Sequence, residues 1–244
     1  MKIKLLGKNL NDIRPLLPRV GLEEADSDYE VIITHGGDGA LLGAERDFPG
    51  VPKLPLRDAA TAPTCREHSA ERRLERFVSG RSVLSRLPKV LGVTSSGDTI
   101  TGINDVFLHS VSHTSALRYR VKIDGELYAA EVVGDAVGIA SVHGSGAYYR
   151  SITHSVFRVG VGLAFSNSTE SVDHMVLDSG SRIEIEVTRG PARLAADNDP
   201  GELPVAEGES VTLSMGGDAA FVWDLAAFMC RHCRLLRHPN PNAF

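Results

Sequence analysis

The sequence predicts an α/β domain, then a β-rich, sandwich-like domain, then a C-terminal helix that returns to the first domain. Between residues 2 and 78, short apolar strands alternate with helix-compatible segments, which is the pattern of a layer of parallel strands and helices. From Val90 onward, short strands and turn residues follow one another with no long helical pattern before Phe221. The predicted domains are residues 1–92, 93–220 and 221–244.

Composition limits the class of protein. The chain has 244 residues, of which 42% are hydrophobic and 23% charged, as in ordinary globular proteins. A net charge of -5 without a Lys/Arg run argues against a nucleic-acid binder. No apolar run approaches membrane-spanning length. The odd number of cysteines, 3, argues against a disulfide framework and fits a reducing compartment. We therefore expect a cytoplasmic protein that binds neither nucleic acid nor membrane.

Short periodic segments predict the elements of the first domain. Proline and polar residues bound most of them, and Ser69 is a candidate N-cap for the last helix. The segments are a strand at Lys2–Leu6, a short helix at Leu10–Leu17 stopped by Pro15 and Pro18, a strand at Val51–Leu56 and a helix at Ser69–Val78.

The stretch YEVIITHGGDGALLGA, residues 29–44, is the centre of this domain. Val31–Ile33 reads as a buried strand, and the apolar segment from Ala40 reads as a helix. The glycine turn between them permits a tight bend and presents backbone amides near a helix N-terminus, where a phosphate binds well. Asp38 would repel a phosphate unless a divalent cation lies between them or the carboxylate takes a proton from an attacking hydroxyl. The alternative is that Asp38 only caps the helix.

Alternating apolar residues predict the strands of the β-rich domain. Asp124-Gly125 is a strong hairpin signal between two of them. The tail from Phe221 to Leu236 is amphipathic and predicts one helix. The strand segments include LGVTSS, TITGINDVFLHS, LRYRVKID, ELYAAEVV, VFRVGVGLA, RIEIEV and SVTLS.

Four motifs, in order along the chain, resemble those of the NAD kinase family. The glycine turn THGGDGALL resembles the family's GGDG-T-L signature, with Ala40 where Thr is usual. Asn104-Asp105 stands where the family has Asn-Glu before an apolar strand. Asp135–Tyr148, written DAVGIASVHGSGAY, resembles a stretch that ends TPTGSTAY. Asp197-Asn198 follows a strand where the family has Asp-Gly. The resemblance runs from about residue 29 to about residue 215.

The resemblance implies a kinase that uses ATP and Mg²⁺, or another divalent cation, to phosphorylate the adenosine 2′-hydroxyl of NAD, giving NADP. In NAD kinases the GGDG carboxylate accepts the proton of that hydroxyl, so Asp38 would be the catalytic base. The amides of Gly36, Gly37 and Gly39 would hold phosphates. Such a site suits phosphoryl transfer, in which positioning and charge neutralisation supply most of the catalysis.

The resemblance also implies a set of NAD-binding residues in the second domain. Asn104 can donate to and accept from an adenine edge, Asp105 can accept from ribose hydroxyls, and Tyr148 offers a face for stacking on a base. The family residue at Asp135 meets the nicotinamide end from a neighbouring subunit, which implies a homodimer or homotetramer assembled through the β-rich domain. The implied set is Asn104, Asp105, Asp135, Ser141, His143, Gly144, Ser145, Ala147 and Tyr148.

Departures from the family motifs leave two other functions open. The segment before the glycine turn is short, and LPLRDAATAPTCREHSAERR replaces a Gly-Leu-Gly-Phe-Leu-like stretch. His143 and Gly146 stand where the family has threonines. One alternative is a kinase of the same superfamily with another acceptor, and the other is a non-catalytic NAD(P)-binding regulator. Taken alone, Asn104 would be a turn residue and Tyr148 a core or edge aromatic.

A second group of residues lies outside the family motifs. Cys65 and His68 lie in the replaced stretch, and Cys230 and Cys233 lie in the tail, with His232 and His238 nearby. If the tail packs on the first domain, Cys65, His68, Cys230 and Cys233 can form a closed, structural Cys₃His zinc site. The alternative is that the cysteines are simply buried.

Overall fold

A computed structural model describes residues 1–237, which form two compact units. The first unit contains Met1–Leu87 and the chain from Ala220 onward, and the second contains Pro88–Ala219. The tail therefore belongs with the N-terminal α/β segment, as the predicted fold class requires. No helix among these residues is long and apolar enough to cross a membrane.

Parallel strands form the sheet of the first unit. They lie in the order β2, β1, β3, β4, and every pair along this order is parallel. The α/β layer with parallel strands is thus confirmed. All six residues of β3 are buried, so this strand is the centre of the unit. The elements are β1 (Lys2–Gly7), β2 (Glu23–Glu24), β3 (Val31–Gly36), α1 (Asp38–Asp47), β4 (Lys53–Arg57) and α2 (Ala70–Val78).

The segment predicted as a helix at Leu10–Leu17 is instead a series of short 3₁₀ turns. These are Leu10–Asp12, Arg14–Leu16 and Pro18–Val20. Pro15 and Pro18 lack the amide hydrogen that a continuous α-helical ladder needs, which explains why the helix does not form.

A buried ion pair fastens α1 to β4. The Lys53 side chain is fully buried and donates to the carboxylate of Glu45 and to the carbonyl of Phe48. Burying an unpaired ammonium would cost several kcal/mol, at least about 3, so this pairing sets where α1 lies against the sheet. The N-terminus of α1, which carries the glycine turn, is positioned by the same contact.

The second unit consists of two sheets. One is antiparallel throughout, in the order β12-β11-β10-β7-β14-β15. The other has the order β16-β13-β8-β9, and β5 pairs with both β16 and β6. The elements are β5 (Leu84–Thr94), β6 (Thr99–Gly102), β7 (Asp105–Ser110), β8 (Leu117–Ile123), β9 (Glu126–Gly134), β10 (Ala136–Ala140), α3 (Tyr148–Thr153), β11 (Val161–Ser166), β12 (Met175–Leu177), β13 (Ile183–Arg189), β14 (Ala192–Ala196), β15 (Leu203–Val205) and β16 (Ser210–Trp223).

Side chains from both sheets share one core, so the sandwich-like architecture is confirmed. Val106 and Ile139 from one sheet pack in the same buried cluster as Val121 and Ile185 from the other. The predicted hairpin is also present, because β8 and β9 are joined by Asp124 (φ 53°) and Gly125 (φ 86°). Two successive positive φ angles are the signature of the type I′ turn that Asp-Gly favours.

The tail is not the single helix predicted for Phe221–Leu236. Its first three residues belong to β16, and two short helices follow, α4 (Leu225–Phe228) and α5 (Arg231–Arg237). Asp224 ends the strand in a left-handed conformation, φ 50°, that a helix cannot continue.

Asp224 and Arg73 explain why the tail breaks and docks at this point. The Asp224 carboxylate accepts from the hydroxyl of Ser82 (2.8 Å) and the amide of Val83 (3.1 Å). Arg73, 2% exposed, donates to the carbonyls of Pro55 and Asp224. His238 and the rest of the predicted tail, 239–244, lie outside the described residues.

Candidate functional site

The glycine turn connects the most buried strand of the first unit to α1. β3 ends at Gly36, whose φ of 148° suits only glycine, and Gly37 is the extended N-cap of α1. Asp38 is the first residue of the helix, and its side chain is 60% exposed. The N-cap residue, Gly37, makes no side-chain capping hydrogen bond to the helix. The glycine turn therefore lies at a helix N-terminus, as the phosphate-turn interpretation requires, and the Asp38 carboxylate beside it faces solvent.

Arg57 is a site residue that sequence reasoning missed. Its Nη2 lies 3.0 Å from Oδ1 of Asp38, and its Nη1 lies 3.4 Å from Oδ2. The Arg57 side chain is only 8% exposed. Its guanidinium carbon lies 3.6 Å from the centre of the Phe228 ring in α4. A two-pronged pair of this kind fixes the orientation of the carboxylate.

The sheet register explains the pairing of Arg57 with Asp38. Gly36 at the end of β3 is directly opposite Arg57 at the end of β4 in a parallel pair. A predicted parallel sheet with both strands ending at these residues places their side chains at one edge. Arg57 directly follows the predicted strand Val51–Leu56, so its place at this edge of the sheet could have been predicted from the sequence.

Beside the glycine turn, three polar side chains are structural. His35 is 2% exposed, and its Nδ1 lies 2.7 Å from the carbonyl oxygen of Lys8. Asp58 accepts from the amide of Ala60 (3.0 Å) and from the side chain of Asn9 (2.8 Å). The Ala60 hydrogen bond lowers the pKa of Asp58 most, against the opposing effect of burial. These contacts hold the loop after β4 next to the turn.

In the second unit, one carboxylate organises the loop that carries Asn104 and Asp105. Asp197 accepts from the amides of Ile103 (2.7 Å), Asn104 (2.7 Å) and Asp105 (3.1 Å). A Cβ at Gly102 would lie 2.8 Å from Oδ1 of Asp197, so the carboxylate is packed as well as bonded. Asp197, from the fourth motif, thus shapes the loop that carries the second motif, Asn104-Asp105.

Asp105 and Asp197 form a buried pair of carboxyl groups. Asp105 is 8% exposed. Burial, reinforced by the charge of Asp197, raises the pKa of Asp105 to about 7. Burial also raises the pKa of Asp197, although its three amide donors and Lys89 oppose that effect. Asp105 therefore changes its charge near neutral pH, which a solvent-exposed aspartate does not.

The third motif packs on the same loop. The Ser141 amide donates to the carbonyl of Asn104 (2.8 Å), and the Ser141 hydroxyl donates to that of Ile103 (2.6 Å). A Cβ at Gly144 would lie 2.0 Å from the Asn104 carbonyl oxygen, so glycine is required there. Three residues that the sequence predicted as NAD-binding, Asn104, Ser141 and Gly144, are therefore brought together.

Other predicted NAD-binding residues differ in accessibility. Ser145 is buried, and its hydroxyl donates to the carbonyls of Val142 (2.9 Å) and Phe157 (3.2 Å). Ala147 and Tyr148 are exposed, and His143 is half-buried. Ser145 therefore holds the loop from inside, whereas Ala147 and Tyr148 present their surface to solvent.

Tyr148 is a helix residue at the first position of α3, and it contacts two aromatic side chains. Its ring stacks on His109 with centroids 5.7 Å apart and meets Phe107 edge-on at 4.8 Å. The interpretation of Tyr148 as an edge-strand aromatic is wrong, since α3 begins there.

Asp135 lies at the other end of β10 from Ser141. Its carboxylate accepts from the side chain of Asn167 (2.7 Å). Tyr148 and Asn167 both line a cleft of about 570 Å³ in this unit, together with Ile152, Phe165, Glu170 and His174. Asp135 itself does not join the Asn104–Ser141–Gly144 group.

Comparisons with known proteins find NAD kinases. No family model matches the chain. NAD kinases from Brucella suis biovar 1 (strain 1330) and Brucella melitensis biotype 1 are 30% identical over 145 residues, 58% of this chain and 56% of each relative. An NAD kinase from Clostridium kluyveri is 27% identical over 199 residues, 77% of this chain and 70% of that protein. Over these stretches the chain is similar to NAD kinases. Its match spans just over half the length of the Brucella relatives, 56%.

Solved structures agree on the fold. An NAD kinase from Archaeoglobus fulgidus, in complex with ATP, aligns with a TM-score of 0.78 at 16% identity, covering 97% of this chain and 99% of that one. Yeast NADH kinase complexed with NADH aligns with a TM-score of 0.82 at 14% identity, covering 100% of this chain and 89% of that one. The predicted NAD-kinase-like architecture is thus confirmed.

The departures from the NAD kinase motifs are not all imposed by packing. A Cβ at Gly146 would meet no atom within 4 Å, and its φ is not positive. The threonine usual in NAD kinases would therefore fit at this position. The absence of that hydroxyl is a property of this chain's surface, in contrast to Gly144, where the backbone of Asn104 leaves room only for glycine.

The Cys/His group outside the NAD kinase motifs is assembled within the first unit. The ligand atoms of Cys65, His68, Cys230 and Cys233 all lie within 4.8 Å of one another. Cys230 directly precedes α5, whereas Cys233 lies within it.

Proposed function

We propose that this protein is an NAD kinase, which transfers a phosphoryl group from ATP to the adenosine 2′-hydroxyl of NAD and produces NADP. The observation that carries the proposal is the exposed, oriented carboxylate of Asp38 at the glycine turn. A protein that only binds a nucleotide gains nothing from a negative charge beside its phosphates. A phosphotransferase needs a group there to take the proton of the attacking hydroxyl.

In this proposal Asp38 is the base, and Gly36, Gly37 and Gly39 supply amides to the phosphates. Mg²⁺, brought with ATP, neutralises charge on the transferring phosphoryl group. Carboxylate and phosphate oxygens are the ligands that Mg²⁺ prefers, so the exposed Asp38 side chain fits this cation. Arg57 holds the Asp38 carboxylate in one orientation from the side facing the protein.

NAD is proposed to bind to the second unit through its adenosine half. Asn104 is half-buried with its backbone fixed by Asp197 and Ser141, which leaves the side-chain amide to meet an adenine edge. Asp105 would accept from ribose hydroxyls, and Tyr148 would stack on a base. Asp135 is exposed and is proposed to meet the nicotinamide end of NAD on a neighbouring subunit of a homodimer or homotetramer. We also propose a cytoplasmic location, on the composition given above.

A panel of acceptors tests this function. The protein is incubated with ATP and Mg²⁺ and with NAD, NADH, adenosine or a simple polyol, and each phosphorylated product is quantified by mass spectrometry. We expect NADP to be the main product. Faster phosphorylation of another acceptor would favour a kinase of the same superfamily with a different substrate. Binding of NAD without any product, from ATP or from polyphosphate, would favour a regulator.

Substitution of Arg57 tests its role as a positioning residue. Arg57→Met keeps an unbranched stem against Phe228 but removes the charged fork, and we expect kcat to fall roughly 10- to 100-fold through misorientation of Asp38. The KM for NAD should change only a few-fold, since Arg57 is not proposed to touch NAD.

Arg57→Lys is the matched control, because it keeps the charge without the two-pronged geometry. It should recover part of the lost kcat. Equal kcat values for the Met variant and the unmodified protein, at an unchanged thermal midpoint, would exclude the positioning role.

A further inference from the structure

We propose that Cys65, His68, Cys230 and Cys233 bind one structural Zn²⁺ ion that fastens the tail to the loop after β4. The four residues come from two short sequence motifs, C-x₂-H and C-x₂-C, 165 residues apart at their His68 and Cys233 members. Both motifs lie in the first unit, and the site is separate from the glycine turn. Three sulfurs and one imidazole nitrogen are a ligand set that zinc favours in closed sites.

The distances match a tetrahedral ion. With Zn–S near 2.3 Å and Zn–N near 2.05 Å, the edges of the tetrahedron are about 3.8 Å between sulfurs and about 3.6 Å from sulfur to nitrogen. The Sγ atoms of Cys65 and Cys233 are 3.5 Å apart. The Nδ1 of His68 lies 3.2 Å from Sγ of Cys65 and 3.6 Å from Sγ of Cys233. Cys230 completes the set within the same 4.8 Å limit.

The local backbone supports thiolates at these positions. The amides of His232 and Cys233 donate to the sulfur of Cys230. The amide of Cys65 donates to Sγ of Cys233 (3.3 Å). Outer hydrogen bonds of this kind orient metal ligands and stabilise their charged form. On the other side of the site, a 3₁₀ turn at Arg66–His68 sets Cys65 and His68 next to each other.

The position of the group favours a structural role. Cys233 is 1% exposed, and the other three side chains are half-buried. Four protein ligands leave no open coordination position for a substrate. Cys65 and His68 lie at a 3₁₀ turn and Cys230 and Cys233 at a short helix, and the ion would join these two segments. Phe228 of α4, which covers Arg57, lies two residues before Cys230, the first tail ligand. An ion bound by Cys230 would therefore also restrain Phe228.

Metal analysis of two histidine variants tests the site. The full chain, purified under reducing conditions without added metal, is expected to contain about one Zn²⁺ per chain. His68→Ala should lose most of that zinc. His232→Ala is the matched control, because His232 is adjacent to the ligands and exposed but is not one of the four. Its zinc content should be unchanged.

Two further readouts keep the proposal testable if a variant folds poorly. Replacement of the ion by Co²⁺ in the unmodified protein should give the intense visible absorption of tetrahedral sulfur coordination. A strong chelator should lower the thermal midpoint of the unmodified protein. Zinc well below one per chain together with free thiols would overturn the proposal. An intact mass two hydrogens lower than that of the fully reduced chain would also overturn it, because it reports a disulfide, such as one between Cys65 and Cys233. None of these readouts depends on kinase activity.

Discussion

Asp38→Asn is expected to lower the kcat for NADP formation by about 10²- to 10⁴-fold, the usual contribution of a general base. Asparagine has nearly the same shape and can still accept a hydrogen bond from Arg57, but it cannot take the proton of the attacking hydroxyl. The KM for NAD should change little, because asparagine keeps the shape of Asp38 and the other proposed NAD contacts lie in the second unit. Steady-state kinetics with ATP and Mg²⁺ measure both parameters.

Asp47→Asn is the matched control for Asp38. Asp47 is the last residue of the same helix, is exposed and pairs with the adjacent Arg46, so this variant removes the same charge from the same helix. Its kcat should stay within a few-fold of that of the unmodified protein. A similar kcat for Asp38→Asn would exclude Asp38 as the base, and the kinase assignment would then depend on the acceptor panel.

Asp105→Asn is expected to make the second unit more stable at alkaline pH. The pKa of Asp105 is raised from 3.8 to about 7 in the folded protein. The stability associated with the protonated carboxyl is therefore complete below pH 3.8 and is lost as pH rises through about 7. An amide at this position stays neutral, so the variant does not suffer this loss.

The size of the effect follows from the same shift. Between pH 5 and pH 8, the free energy of unfolding of the variant should rise relative to the unmodified protein by about 3 kcal/mol, at 1.36 kcal/mol per pKa unit over about two units. Urea unfolding of both proteins at the two pH values, followed by a probe of the second unit, measures it. Asp218→Asn, at an exposed position, serves as the control and should show no such change. If the two proteins differ in free energy of unfolding by the same amount at pH 5 and at pH 8, the raised pKa of Asp105 is contradicted.

Local signals predicted most of the fold. Glycine at Gly36-Gly37, the Asp-Gly dipeptide and the β-branched run at Val31–Ile33 act through backbone geometry and burial over a few residues, so the pattern alone is informative. The tail was mispredicted because its break depends on Asp224, whose bonds reach back to Ser82 and Val83. Such a partner is invisible to helical periodicity.

The candidate site could be predicted as a set of positions but not as a network. The motifs named Asn104, Ser141 and Gly144 as members of one candidate site, and the structure brings these three residues together. The three amide bonds to Asp197, more than 90 residues away, arise from the pairing of β7 with β14. The pairing of Arg57 with Asp38 was not predicted for the same reason, because it depends on the register between β3 and β4.

The bonds around Asp197 have a consequence for the way mutational tolerance in this protein is interpreted. Gly102, Gly144 and Asp197 shape the loop without any need to touch a ligand. In a saturation screen scored by growth, they would rank beside Asp38 as intolerant positions. A parallel score of protein abundance would separate them, because losses at the two glycines and Asp197 arise from misfolding, whereas a loss at Asp38 leaves the amount of folded protein intact. The most restricted positions of this chain would therefore fall into two groups, one that builds a loop of the second unit and one proposed to act in catalysis.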